Sequence, residues 1–454
     1  MTDLNQATKL KRTLNLPMLI MFGLAYLAPT VVFNYYGIFT ADTKGMYTLA
    51  ICITTVIMLF TAFSYVQMVK AYPIAGSAYT YVNKSVQPHL GFMTGWVMLL
   101  DYMLIPMICY LLLGIYINEF FPIIPVWVIV MVVGALGAAI NIIGMKTASI
   151  IDSIIIIAQV GFTLLVIVVI AKYVVGGGGA GELVVPEAVY NPATFDIAKV
   201  FGAAAVLCVS FVGFDAVTTL VEETKNPDKV MKPAVLGVVI GAGLLFMVVS
   251  YFMQLAWPLA YTEIEDPSVG VFELFPQIGE DWLGNTFFIV DNFATFVCAM
   301  SALAAVSRIL YSMGRDNILP KKIFGKLSPR FQTPVINIII TTVVAMTALF
   351  YQDNLLGAAS LVSFGAITGF IMVNISVISH YFIRNKKRKG ADLFKYLVLP
   401  LIGAGTLVVV FVFIDNTAKI LGLAWFAIGL TYLAIKTKGF RELPPEMKLE
   451  LEDE

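Results

Sequence analysis

The chain has 454 residues, 59% of them hydrophobic and only 13% charged, and its formal net charge is zero. Soluble proteins average about 45–50% apolar and about 25% charged residues, so this composition excludes a soluble two-domain enzyme. The zero balance gives no case for a nucleic-acid partner.

Apolar runs of about 18 residues or more recur along the chain, and each is long enough to cross a bilayer as a helix. About twelve are predicted, near 17–39, 46–69, 91–117, 126–143, 150–173, 198–221, 233–257, 284–312, 334–351, 357–383, 394–414 and 418–436. Lys9, Lys11 and Arg12 precede the first run in the manner of a signal peptide. That run continues to about Phe39 without an obvious small-residue cleavage site, so it is read as the first span. The lipid bilayer is therefore the first partner.

With both termini in the cytoplasm, about 25 of the 29 Lys and Arg fall inside, leaving Lys44, Lys172, Lys199 and Lys419 near the outer side. The loop Tyr261–Asp281 carries six acids and no basic residue, and lies outside on this scheme. "RNKKRKG" (Arg384–Gly390) lies inside as an orientation signal. "GGGGAG" (Gly176–Gly181) reads as an outer loop with no phosphate role, because it does not join a strand to a helix. The short acidic tail after Lys436 reads as a frayed cytoplasmic end.

Two spans are poorly built as helices. In "MFGLAYLAPTVVF" (Met21–Phe33), Pro29 lacks an N–H and clashes with the preceding turn, so the helix should kink or open near Leu24–Ala28. In "VSFVGFDAVTT" (Val209–Thr219), Gly213 weakens the helix and Asp215 competes for backbone groups. The interruptions lie five spans apart. Interrupted helices at matching places in two halves point to an inverted-repeat transporter with its site at the breaks.

An acid inside a span costs at least about 2.5 kcal/mol by insertion scales and persists when it meets a cavity, a partner or a cation. Asp215 has two compatible roles: capping the half-helix from Ala216, or touching substrate. Glu222 and Glu223 end the same half-helix; Glu222 lies about 10 Å from Asp215 along one face. One of the two faces the pathway, or both sit at the surface with Lys225, Lys229 or Lys232. Asp101 lies about a third of the way into the third span, one turn before Pro106. It binds an amine, carries a proton, or bonds to a neighbouring helix. Asp291, near the outer end of the eighth span, is the weakest candidate and is placed in a vestibule.

Tyr26, Tyr102, Tyr110, Phe211 and Phe214 accompany these acids, and a ring face can hold an ammonium. Packing is the competing role for each ring. Phe211 and Phe214 flank the second interruption and are the best gate candidates. His89 and His380 lack metal-ligand company and are read as structural, and the four Cys as packing residues. The GxxxG spacing in "GVVIGAG" (Gly237–Gly243) predicts close helix packing. No enzyme motif, metal set or cofactor motif is found.

Several stretches together resemble the amino acid–polyamine–organocation transporter superfamily: "YPIAGSAYTYV" (Tyr72–Val82), "GFDAVTTLVEETKNP" (Gly213–Pro227), "SRILYSMGRDNILP" (Ser307–Pro320) and Thr333–Pro334. Within it, "GLAYLAPTVVF" (Gly23–Phe33), "LLDYMLIPM" (Leu99–Met107) and "GFDAVTTLVEET" (Gly213–Thr224) are most similar to bacterial putrescine importers. The resemblance implies an all-α polytopic fold with a five-plus-five inverted repeat (17–173 and 198–383) and two additional helices (394–436). Residues 1–16 and 437–454 are then cytoplasmic.

It also implies proton-driven uptake of putrescine or a related polyamine across the bacterial inner membrane. The residues read above as site candidates for such a substrate are Tyr26, Ala28, Asp101, Tyr102, Phe211, Gly213, Phe214, Asp215, Glu222 and Glu223: Phe211 and Phe214 frame the pocket, Asp101 and Glu222 or Glu223 bind the two ammonium ends, the Tyr26–Ala28 carbonyls add polar contact, and Asp215 orients the half-helix. Amino-acid members usually cradle a carboxylate at a Gly-rich break, but here Gly is replaced and Pro29 removes a donor. The alternative is an amino-acid permease of the same superfamily, since several N–H groups remain at the break. Some proton-coupled relatives have Lys where spacing places Gln159, so coupling by protons would fall to an acid such as Asp101 or Glu222. A channel, a sensor and a membrane enzyme each lack a supporting motif.

Overall fold

The computed structural model of the chain describes residues 14–73, 77–143, 148–221, 224–315, 318–331 and 333–444. Among these the architecture is entirely helical, with one isolated parallel bridge between Leu14 and Thr224. Backbone polar groups in hydrocarbon must be satisfied within the chain, and helices do this locally.

Among the described residues, eleven helices are long and apolar enough to cross a membrane: Leu16–Asn34, Tyr47–Ala71, Pro88–Phe120, Val126–Ile143, Ile154–Val175, Ile197–Thr219, Pro227–Ala256, Asp281–Tyr311, Leu355–Arg384, Ala391–Val412 and Asn416–Lys436. The predicted ninth span is a shorter apolar helix, Val335–Tyr351. Its α-helical part ends at Ala345 and Met346–Tyr351 continues as a 3-10 helix. At the larger rise of 3-10 geometry the whole segment reaches about 28 Å, close to a hydrocarbon thickness. Spans are numbered below in this order, with Val335–Tyr351 as the ninth.

Both predicted interruptions are present. The first helix stops at Leu27, and Ala28 adopts φ 52° before Pro29. A residue preceding proline is driven out of the α region. The opening falls at Ala28–Thr30, slightly beyond the predicted Leu24–Ala28, and helix resumes at Val31. The sixth span is α-helical over Ile197–Leu207 and 3-10 over Cys208–Phe211; it is extended at Val212 and helical again over Ala216–Thr219. Gly213 between them has φ 132°, a conformation that side-chain-bearing residues rarely adopt. Pro106, by contrast, is accommodated within one continuous helix, Pro88–Phe120.

The two openings lie against one another. A Cβ on Gly213 would stand 3.1 Å from the Gly23 carbonyl, the Leu27 amide and the Tyr26 Cβ. Below this contact the Lys225 N–H donates to the Leu14 carbonyl at 2.9 Å. That bond ties the entry of the first span to the exit of the sixth. The tenth span lies along the third, where Gly365 and Gly369 face Asp101 and Met98. This GxxxG spacing gives the close packing expected of such a pair.

At "GVVIGAG" the prediction needs correction. Gly241 has open space where a Cβ would go, while Gly243 is the residue pressed against Thr55. The twelfth span is clamped to the third by Trp96 and Trp425, whose rings stack at 4.9 Å. Each indole N–H donates to the other's carbonyl, at 3.0 and 2.9 Å. His380 meets the Tyr72 hydroxyl at 2.8 Å and His89 the Glu442 carbonyl at 3.1 Å, in keeping with structural roles.

Gly37 supplies a test of the packing. A Cβ there would stand 2.4 Å from the Pro267 carbonyl and 2.9 Å from the Gly270 Cα, both backbone atoms that cannot swing aside. Gly37→Ala is expected to cost about 1–3 kcal/mol and to lower the thermal midpoint of detergent-purified protein. Gly241→Ala, facing open space, is the control and should hold the midpoint. Equal midpoints for both variants would contradict the packing described.

Candidate functional site

The amides at the first opening are already engaged. Ala28 N–H donates to the Leu24 carbonyl at 3.1 Å, Pro29 has no N–H, and Val31 N–H donates to the Ala28 carbonyl at 2.9 Å. Thr30 N–H donates to Oε1 of Gln159 at 3.3 Å. In an unbroken helix the amides of residues 29, 30 and 31 would serve the carbonyls of Ala25, Tyr26 and Leu27. Those carbonyls therefore lose their helical donors and form the negative pole of the half-helix. Such an end attracts a cation and disfavours a carboxylate.

The second opening has the same sign. The Gly213 N–H donates to Oδ1 of Asp215 at 3.0 Å, and the Tyr102 hydroxyl reaches Oδ2 at 3.5 Å. The Asp215 side chain makes no cap bond to the amides of Val217 or Thr218, which bond to the backbone carbonyls of Gly213 and Asp215, so it does not cap the half-helix in the manner considered from sequence. Its carboxylate turns back across the opening and occupies the amide that an anionic ligand would need.

Asp101 completes the cluster from the third span. It is 2% exposed, and its Cβ lies beside Gly365. Its Oδ1 is buried with no hydrogen-bond partner, as is the Tyr26 hydroxyl. Buried polar atoms without partners are rare, and each calls for an explanation. Asp101, Asp215, Tyr26 and Tyr102 lie close enough to influence one another electrostatically. Among the described residues neither acid has a Lys, Arg or His partner. Two buried acids, three carbonyls and two phenols thus meet at the paired openings without a balancing cation.

The aromatic candidates separate. Phe214 is fully buried and packs edge-on to Tyr65 at 5.3 Å and against Phe370 at 5.4 Å. Phe211 points elsewhere and meets Phe246 of the seventh span at 5.6 Å. The structure therefore brings together Tyr26, Ala28, Asp101, Tyr102, Gly213, Phe214 and Asp215, and directs Phe211 away. Glu222 and Glu223 lie outside the described residues.

Sequence reasoning missed Tyr65, Phe370 and Gly365, although the Gly365–Gly369 spacing was a readable signal. It also misplaced Asp291. That residue is 1% exposed and its Oδ1 lies 2.6 Å from the Thr30 hydroxyl oxygen, so it belongs to the interior and not to a vestibule. An acidic cavity of about 780 Å³ lies elsewhere, lined by Glu119, Glu263, Glu265, Asp266 and Glu273. Glu273 there accepts from the Glu265 and Asp266 amides, at 3.0 and 2.9 Å.

A family model described as "Amino acid permease" matches residues 18–434. The chain is 37% identical over 439 residues to the low-affinity putrescine importer PlaP of Escherichia coli (strain K12), covering 96% of each chain. It is 25% identical over 450 residues to the branched-chain amino acid permease BcaP of Bacillus subtilis (strain 168), covering 93% of this chain and 92% of the relative. It is 24% identical over 462 residues to a methylthioribose transporter of the same organism, covering 96% and 95%.

A buried unpaired acid is a stability cost that function maintains. Asp101→Asn removes the charge at nearly constant volume and should raise the thermal midpoint of ligand-free protein, by about 1–3 kcal/mol of stability. A lowered midpoint would mean that Asp101 is structurally partnered and is not held ready for a ligand.

Proposed function

The chain belongs to the amino acid permease family of transporters, and we propose that it imports putrescine or a closely related polyamine across the bacterial plasma membrane. The unpaired Asp101 carboxyl beside Asp215 at the paired openings carries this reading. A diamine brings two ammonium groups and no carboxylate. Asp101 takes one ammonium. Asp215 and the carbonyls of Tyr26 and its neighbours take the other. Phe214 and Tyr102 close the site around the methylene chain, with charge-assisted bonds and ring faces supplying specificity. The putrescine importer among the relatives supports the same choice.

Transport proceeds by alternating access. Residues 17–173 and 198–383 form the two inverted repeats, and both termini lie in the cytoplasm. The Leu14–Lys225 bond closes the inner side, and the acidic cavity near Glu263 and Glu273 forms the outer mouth. A proton gradient drives accumulation, and membrane voltage adds about 2.3 kcal/mol per charge per 100 mV.

The second reading is an amino-acid permease, favoured by the branched-chain relative. Against it stand the spent amides: Thr30 N–H is held by Gln159 and Gly213 N–H by Asp215. A substrate carboxylate would have to displace both.

Uptake of labelled putrescine into proteoliposomes tests the reading. Saturable uptake is expected, inhibited by diamines and unaffected by glycine or alanine. Asp101→Asn should weaken putrescine binding by about a hundredfold, the cost of removing one side of a buried charge pair. Uptake of a neutral amino acid with none of putrescine would refute it. The acidic mouth adds a kinetic expectation: initial uptake rates should fall as ionic strength rises, because screening weakens attraction of a dication. A salt-independent rate would remove the mouth from the account.

A further inference from the structure

The Thr30 hydroxyl has one proton and two close acceptors. Its Oγ1 lies 3.0 Å from Oε1 of Gln159 and 2.6 Å from Oδ1 of Asp291. It can donate to only one of them. Turning the Gln159 amide over would free the hydroxyl for Asp291, but would set the amide NH₂ against the Thr30 N–H. That N–H now donates to Oε1 at 3.3 Å, and its buried donor would be left unpaired. With Asp291 ionised, the hydroxyl turns to Asp291 and two acceptor oxygens, Thr30 Oγ1 and Gln159 Oε1, face each other at 3.0 Å without a proton. With Asp291 protonated every close contact carries a proton: Thr30 donates its N–H and its O–H to Gln159, and Asp291 donates a carboxyl O–H to Thr30 Oγ1.

The surroundings agree with a neutral acid. Asp291 is 1% exposed on the eighth span. Its other oxygen meets only the Thr295 hydroxyl at 3.4 Å, and Asn34 also bonds to the carboxyl group. The titratable groups facing it are Cys109 and Tyr116, both from the third span. The first span contributes Thr30 and Asn34, and the fifth span Gln159, none of which titrates. Among the described residues no Lys, Arg or His faces it. An ionised carboxylate there would stand buried and unbalanced.

We infer that Asp291 is the proton-binding group of the transport cycle, linked through Thr30 and Gln159 to the opening of the first span. This rests on the import reading above and names the coupling residue within it. The proton is taken up as Asp291 carboxylate becomes the carboxylic acid, and is released by the reverse step; no other bond changes. When Asp291 loses the proton, its carboxylate reclaims the Thr30 hydroxyl, and Gln159 keeps only the longer amide bond. The first span is then held to the fifth by one bond in place of two, four residues from Tyr26 at the substrate site. Gln159 also lines a small cavity of about 60 Å³ together with Ala25, Tyr26 and Ser301, so the residue that holds Thr30 borders the same space as Tyr26.

The test compares wild type, Asp291→Asn and Thr30→Val as full-length protein in proteoliposomes. Asn presents an N–H where the carboxyl O–H stood, so Asp291→Asn imitates the protonated state permanently. Wild type should acidify the lumen when putrescine is added outside, as read by a trapped pH dye. Asp291→Asn should keep putrescine counterflow, which needs no net proton movement, yet lose lumen acidification. Its accumulation on a pH gradient should fall by about tenfold or more.

Thr30→Val removes the linking hydroxyl and should uncouple in the same direction. It carries the test alone if Asp291→Asn is not recovered folded. Wild-type proton-to-putrescine ratios in the recovered variants would overturn the inference, as would wild-type uptake driven by a sodium gradient in place of a pH gradient. If wild type moves a neutral amino acid and not putrescine, the import reading fails by itself. The same proton ratio measured with that amino acid then decides Asp291.

Discussion

The structure depends on one backbone contact, the approach of the opened sixth span to the opened first at Gly213. The Gly23 carbonyl, the Leu27 amide and the Tyr26 Cβ all stand 3.1 Å from where a Gly213 Cβ would be. With φ 132° as well, that position has neither room nor the conformation for a side chain. The contact sets Asp215 beside the free carbonyls of the first half-helix. It also leaves the third span to supply Asp101 and Tyr102 from the flank. Because both helices are already open, the site is made of backbone as much as side chains. Its chemistry follows from how the backbone groups are used.

That use gives the site its sign. Open helices in a membrane expose amides and carbonyls in equal measure, and either can become the recognition surface. Here Gln159 and Asp215 take up amides at the two openings, and Pro29 supplies none. What remains is oxygen: carbonyls, two carboxyl groups and two phenols. On the proposed cycle the same bonds serve as latches. The Leu14–Lys225 bond and the Thr30–Gln159 bonds hold the first span at two heights, so substrate release and proton release both act on one helix.

The sequence made the openings legible because Pro29 and Gly213 act locally, through a missing N–H and a missing Cβ. The position of Asp101 inside an apolar run was equally plain. The ninth span was visible as an apolar run, but its 3-10 end at Met346–Tyr351 was not, since helix type depends on packing. Tertiary pairing was the hidden part. Nothing local tells that Asp215 turns back to Gly213, that Phe211 leaves for Phe246, or that Thr30 sits between Gln159 and Asp291. The last of these joins residues from three spans, 129 and 261 positions apart. Asp291 looked like a vestibule residue because sequence gives depth along a helix and not the direction a side chain faces.

The most direct test of the account is a structure of the protein with putrescine bound, determined by cryo-electron microscopy in lipid nanodiscs. The account places one ammonium against Oδ1 of Asp101 and the other among Asp215 and the carbonyls of Ala25, Tyr26 and Leu27. The Gly213 and Thr30 amides should keep their bonds to Asp215 and Gln159. Ligand density away from Asp101, or a ligand anion bonded to either amide, would contradict it.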